Sequence, residues 1–311
     1  MQSISRAAGG VPAWLVALCL LSAASLPARA QAPAPSGQEA RDAELAAAEA
    51  AGVKAGTRGP ASIKLIDQAA LDLPAGYMFI PKAEGVRILR ALGNTVNGDA
   101  HQGLVVSLDA NASWIVVVRY IKEGYIKDDD AKNWNADELL QNIKDGNDEA
   151  NKNRAERGFP EVQIIGWVEK PIYDSATRRL VWSLQSKLKG ESDSQPTGIN
   201  YNTYALGRDG YFSLNLLTSS DVVATEKSVA HKLLAGLTYN DGKRYEDFNP
   251  STDHIAAYGI AALVGGIAAK KLGLLALIGA FALKFAKLIV VGVAAVGAGI
   301  WKMLGGKREN V

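Results

Sequence analysis

The chain has 311 residues, 48% of them hydrophobic, with 34 Lys+Arg against 32 Asp+Glu. That is enough for one medium or two small domains. The charge is unevenly placed: residues 31–250 hold 25 basic and 30 acidic side chains, whereas residues 251–311 hold seven basic and two. A mildly acidic body argues against binding a phosphate backbone, which needs a basic face, so no nucleic-acid partner is expected.

The chain opens "MQSISRAAGGVPAWLVALCLLSAASLPARAQ". Arg6 gives a positive start, Val11 to Leu21 an apolar core, and Ala28-Arg29-Ala30 a small-residue cleavage site. Residues 1–30 therefore read as a signal peptide. An uncleaved anchor is the alternative, but the core is short for a span of about 20 residues. Cys19 is the only cysteine. Leu18 before it does not fit a lipoprotein signal. A mature chain without Cys19 has no disulfide, thiolate metal site or cysteine nucleophile, which suits an oxidising compartment. Residues 31–61, rich in Ala, Glu, Pro and Gly, read as a flexible leader with at most a short helix.

A folded body is expected over 62–250. "GYMFIPKAEG" (76–85) predicts a strand ending at Pro81, and "AEGVRILRALGN" (83–94) a short helix closed by Gly93. "GLVVSL" (103–108) and "WIVVVRY" (114–120), split by "DANAS", predict a hairpin. Residues 135–158 predict a helix with one narrow stripe, Leu139, Ile143 and Ala150, stopped by Gly158 and Pro160. Four strand signals follow. "EVQIIGWVEKPIYD" (161–174) is the first. In "LVWSLQSKL" (180–188), Leu180, Trp182, Leu184 and Leu188 face one way and Ser183, Gln185 and Lys187 the other. "INYNTYAL" (199–206) and "YFSLNLL" (211–217) meet across the turn "GRDG", with Phe212, Leu214 and Leu216 on the buried face. Residues 221–237 predict a closing helix with Asp221 as its cap. The fold class is α+β, an antiparallel sheet with a few helices, plus C-terminal transmembrane helices.

Those last helices come from residues 251–311, read as a membrane anchor with a short basic tail. From Ile255 to Trp301 the only charges are four lysines, without the regular polar face of a soluble amphipathic helix. A hydrophobic soluble subdomain is the alternative. Ala261, Gly265, Ala269 and Gly273 fall on one helix face, where small residues let a second helix approach. Breaking the run at Lys284 and Lys287 gives a helical hairpin with arms of about 255–282 and 287–303. An interfacial segment followed by one span from about Leu288 is the other topology. The lipid bilayer is the expected partner, with another membrane or envelope protein as a second.

The stretch that most resembles chemistry is Asp128, Asp129 and Asp130. Hard cations take several oxygens, so the three are weak candidates for a metal. Counting from Asp128, however, Asn133 stands where an EF-hand needs Gly and Leu139 where it needs Glu. Successive carboxylates diverge along an extended chain. Helix entry is the plainer account, with Asn135 and Glu138 spaced as a capping box. The three histidines, His101, His231 and His254, have no metal-ligand spacing, and no nucleophile elbow or phosphate-binding glycine loop occurs. His101 beside Asp99 could serve as a base, although a loop histidine is more often solvated. Trp114, Trp134, Trp167 and Trp182 read as core rather than a ligand platform. No cofactor is expected. Asn200, Asn202 and Arg208 are candidate polar ligand or partner contacts.

"YIKEGYIKDDDAKNWNADELL", "ANKNRAERGFPEVQIIGWVEKPIYD", "RLVWSL", "INYNTYALGRDGYFSLNL" and "RYEDFNPSTDHIAAYGIAALVGG" occur in this order. Over residues 65–303 the chain resembles a bacterial family of predicted membrane-anchored proteins of unknown function. The resemblance implies an exported domain fixed to the inner membrane of a Gram-negative-type cell, with the body in the periplasm. It lends no catalytic residue. Polar and aromatic positions in these blocks, among them Asn151, Arg154, Tyr173, Tyr201 and Asn202, serve either fold or site. Two functions follow as expectations: a non-enzymatic, membrane-anchored binding or envelope-associated module, or a membrane-proximal hydrolase or transferase acting on a lipid or cell-wall substrate. The enzyme reading requires Asp128–Asp130 and Arg208 to line one pocket with His101 or a further carboxylate.

Overall fold

One antiparallel sheet organises the chain. It is seen in a computed structural model that describes residues 37–265 apart from Thr95, Asn97, Ala110, Ser113, Asn133, Arg157, Gly158 and Asp193. Its strands are β1 (Thr57–Arg58), β4 (Tyr77–Pro81), β5 (His101–Ser107), β6 (Ile115–Ile121), β10 (Gly210–Ser219), β9 (Gly198–Gly207), β8 (Arg179–Leu188) and β7 (Val162–Asp174), in that spatial order. A second sheet runs β11 (Leu237–Tyr239), β3 (Ala69–Leu73), β2 (Ala61–Leu65). Both expected hairpins form: β5 pairs with β6 and β9 with β10. At the tighter turn, Gly210 has φ 151° and a Cβ there would lie 2.1 Å from the Ile121 carbonyl oxygen. No other residue fits.

Both faces of the large sheet are covered. The small sheet and α4 (Val223–Gly236) close one face, packing Leu71, Ala230 and Leu233 on Val116, Val118, Phe212, Leu214 and Leu216. The other face carries two helix pairs. Over one end α1 (Gly37–Ala55) and α2 (Lys82–Ala91) bring Leu45, Ala48, Ile88 and Leu89 onto Val106, Ile115 and Val117. Over the other, α3 (Ala136–Glu156) and α5 (Ala261–Gly265) bring Leu139, Ile143, Leu263 and Val264 onto Ile164, Leu180 and Trp182. Every residue of β6, β9 and β10 is consequently buried.

Four features depart from the sequence reading. The leader carries a 19-residue packed helix, α1. Its inner stripe is Leu45, Ala48, Gly52 and Val53, and small residues there give almost no hydrophobic signal while letting Ile88 approach closely. The short strands β1, β2, β3 and β11 carry too few apolar residues to stand out. Asp221 does not cap α4, which starts after Val222 without a side-chain cap; Asp221 accepts a bond from the Ser219 hydroxyl instead. Finally, residues 255–260 are docked, non-helical chain, and the helix drawn from 255 begins at Ala261. Ala269, Gly273 and the rest of the C-terminal apolar run lie outside the described residues, as does the signal segment.

Glu49 on α1 is 6% exposed, and its Oε1 has no hydrogen-bond partner. Burial pushes its carboxyl up from 4.5 to about 7. A raised acid pKa gives stability that is complete below the unfolded value and is lost as pH climbs toward the folded one. Glu49→Gln is therefore expected to add up to about 3 kcal/mol at pH 8 and almost nothing at pH 4, read from urea unfolding at both.

Candidate functional site

The three adjacent carboxylates go to three different places. Asp128 Oδ2 accepts bonds from the Tyr173 hydroxyl (2.7 Å) and Arg178 Nη1 (2.5 Å). Asp129 is exposed. Asp130 Oδ2 accepts the Ala261 N–H at 3.2 Å. Among the described residues no three His, Cys, Asp or Glu side chains converge as a metal set. Asn135 caps α3, its Oδ1 taking the N–H groups of Asp137 (3.0 Å) and Glu138 (3.4 Å).

Asp128 and Asp130 belong to a seam that fastens residues 242–265 to the body. The Tyr125 N–H donates to His254 O (2.8 Å), Ala256 to Tyr125 O (3.0 Å) and Ile260 to Lys127 O (2.9 Å). Four planar groups stack beside it. Phe248 lies 3.9 Å from Tyr125 between ring centroids, Tyr125 lies 4.4 Å from Tyr245, and the Arg178 guanidinium sits 4.6 Å from the Tyr245 ring. Arg208 closes the seam with a fork on Asp253, Nε to Oδ2 at 2.6 Å and Nη2 to Oδ1 at 2.9 Å. That guanidinium, with the Asn249 N–H, holds the Asp253 carboxyl well below its ordinary value. Arg208, a candidate ligand contact in the sequence, is thus an ion-pair partner, and Ala261 and Gly265 lie in the short helix that the seam positions.

Asn200 and Asn202 lie elsewhere, in an interior polar band on the helix-covered face. Register builds it. His101 pairs with Arg119, Arg119 with Ser213, and Ser213 with Tyr204; in the next row Asn215 pairs with Asn202, which pairs with Trp182. Asn200 follows two residues along β9. The band runs diagonally between the α1–α2 cluster and the α3–α5 cluster. All six polar members are at most 5% exposed. Many of their polar atoms find no partner: His101 Nδ1, Arg119 Nε and Nη2, Ser213 Oγ, and Oδ1 of Asn200, Asn202 and Asn215. Buried polar atoms are ordinarily paired, so such a cluster calls for an account.

Arg119 is its electrostatic centre. Burial pulls its pKa down, yet an arginine remains charged in a protein. No carboxylate pairs with it among the described residues. Burial, then Arg119, Lys82 and Arg90, drive His101 down to about 3, and burial pushes the Tyr204 phenol up to about 12. The band thus holds a fixed cation, neutral amides and hydroxyls, and no group that exchanges protons near neutrality. General acid–base work needs a pKa near the working pH; polar recognition does not.

The inner stripe of α3 changes character in the same way, from Leu139 and Ile143 to Asn147, Asn151 and Arg154. Asn151 acts as a strand would, giving Nδ2–H to Val162 O (2.8 Å) and taking the Val162 N–H on Oδ1 (2.9 Å). Arg154 Nε holds Pro160 O at 2.8 Å, so the turn from α3 into β7 is fixed from inside.

Residues 57–297 match a family described as protein of unknown function (DUF2167). The chain belongs to that family. No curated protein matches. Among solved structures, cyanobacterial PsbP (CyanoP) from Synechocystis sp. PCC 6803 is similar over 60% of this chain and 93% of that chain, at 12% identity and a TM-score of 0.36.

One further cluster of this DUF2167 domain lies on the opposite face. The Tyr201 hydroxyl donates to Glu169 Oε2 (2.6 Å) and lies 2.9 Å from His231 Nε2, while Lys227 Nζ holds Glu169 Oε1 at 2.8 Å. Burial and the neighbouring carboxylate raise the phenol's pKa. It therefore stays protonated and ties the bulged strand β7 to α4. Sequence spacing gives no sign of this group, because its members come from three elements.

Two predictions separate band from scaffold. Arg119→Met should leave the ligand-free domain as stable or raise it by about 1–3 kcal/mol, since a lone buried charge is replaced by an apolar side chain of similar length. Asn151→Ala should cost roughly 1–3 kcal/mol, because the Val162 N–H loses its acceptor while Val162 O keeps the Asn147 Nδ2–H at 2.7 Å. Urea unfolding at pH 7 checks both, and collapse of Arg119→Met would make the band a structural network. In the seam, Tyr125→Ala should speed limited proteolysis near residues 250–260 by about tenfold while the sheet core stays protected.

Proposed function

We propose that this family member is a non-enzymatic binding or envelope-associated module. In this reading residues 1–30 export it, the apolar run beyond Gly265 holds it at a bacterial inner membrane, and its α+β body, which includes residues 251–265, stands in the periplasm. The observation that carries the proposal is the seam. Residues 242–265 are bolted to the loop at 122–130, and Ile260, Leu263 and Val264 are buried in the body's own core. Residues 242–265 are therefore a fixed part of the domain rather than a free linker, which supports an anchor that begins at Gly265. Among the described residues no helix is long and apolar enough to cross a membrane; the rest of the run lies outside them. The positive charge of residues 251–311 suits anionic lipid.

The enzyme reading loses the residues on which it rested. Asp128, Asp130 and Arg208 are engaged in the seam, whereas His101 sits in the interior band. The band offers recognition chemistry without a poised acid or base.

Cell fractionation tests the address. The full chain should sediment with membranes and resist a carbonate wash, and protease added to intact spheroplasts should degrade the body. A chain ended after Gly265 should move to the soluble periplasmic fraction with its fold intact. A protease-protected body would refute the placement, and carbonate release of the full chain would refute the anchor.

A further inference from the structure

Residues of α1 and α2, with Phe159 from the turn after α3, line a groove of about 540 Å³. That volume lies within the range of small-molecule sites. Its floor is apolar, formed by Val86, Phe159 and alanines of both helices. Its rim carries three arginines and one acid, within a body whose residues 31–250 are net acidic. Glu44 is already neutralised, its carboxylate held by Arg87 Nε at 2.7 Å and Nη2 at 2.9 Å. Arg41 lies 5.9 Å from the Phe159 ring centroid. Arg90 is exposed on the rim and makes no ion pair among the described residues.

The groove therefore combines an apolar trough, an aromatic side chain and the Arg90 guanidinium. We propose that it binds an anionic amphiphile: a phosphate or carboxylate head on Arg90, with a short aliphatic or aromatic body along Val86 and Phe159. A guanidinium suits either head group through paired N–H donors. The apolar body supplies what a bare anion lacks at so exposed a site. Such a ligand is either a soluble acid or the head-group region of an anionic lipid. The proposal does not depend on where in the cell the protein resides.

Titration calorimetry on the full chain in the uncharged detergent dodecyl maltoside tests it, with hexyl phosphate as probe and inorganic phosphate and hexanol as controls. Hexyl phosphate should bind at least tenfold more tightly than either control. Arg90→Gln should weaken it about tenfold, and Ala83→Trp, which fills the trough from the exposed side of α2, should abolish it. Thermal melts establish that the variants fold; if Arg90→Gln does not, Ala83→Trp decides. Dihexanoyl phosphatidylglycerol distinguishes the sources: tighter binding than hexyl phosphate identifies a lipid head group, and weaker or equal binding a soluble acid. Equal affinity for hexyl phosphate and phosphate, or unchanged affinity in the folded variants, overturns the site.

Discussion

Covering both faces of the sheet is the constraint from which the rest follows. A sheet with one wet face can place polar side chains in water. Here β6, β9 and β10 have no wet face, so every polar side chain they carry is desolvated. An arginine in such a strand costs several kcal/mol unless it is compensated. Arg119 has neighbouring amides and hydroxyls, but no carboxylate among the described residues. Apolar residues at these positions would extend the clusters on either side without a break. The polar band instead divides the helix-covered face into two apolar halves, each with its own helix pair, so α1–α2 and α3–α5 share no continuous apolar floor.

The second organising feature is the way the chain leaves the domain. Backbone bonds to the loop at 122–130, a four-member stack and a forked Arg208–Asp253 pair all act on the same twenty-odd residues. Exposed ion pairs contribute little singly. This one has fork geometry and accompanies a stacked aromatic column, so its partners are already ordered and less entropy is lost in making it. Residues 242–265 are thereby joined through α5 to α3 and through loop 122–130 to the end of β6.

Much of the fold was legible because its signals are local. The Val-rich hairpin, the alternation in β8, the turn at 207–210 and the polar-faced helix at 136–156 each carry their own periodicity. What stayed hidden depends on partners. In β9 and β10 the alternation of Asn and Ser with apolar residues is the pattern of a half-exposed sheet; only the helices above it make Asn200, Asn202, Ser213 and Asn215 interior. The stripe of α1 uses Ala48 and Gly52, small enough to pack closely and too small to register as hydrophobic. Asp128, Asp129 and Asp130 are adjacent in sequence, yet their side chains diverge: Asp128 meets Tyr173 and Arg178, Asp130 meets the Ala261 N–H, and Asp129 is exposed. Asn200 and Asn202 were identified as polar contacts, but Arg119, the charge that gives their band its electrostatics, was read as part of a strand.

The groove and the band share one wall. The inner face of α2 presents Ile88 and Leu89 to the sheet, and its outer face presents Arg87 and Arg90 to the groove. Just past the Leu92 C-cap, Gly93 turns the chain at φ 83°, where a Cβ would stand 2.4 Å from the Phe159 ring. Glycine there lets the end of α2 meet the turn that Asn151 and Arg154 fix from inside. Electrostatics couples the two sides as well. Arg90 is among the charges, with Arg119 and Lys82, that keep His101 neutral. Burial comes first in holding His101 neutral, and these cations add to it, so the wall carries fixed charges and none that changes near neutral pH.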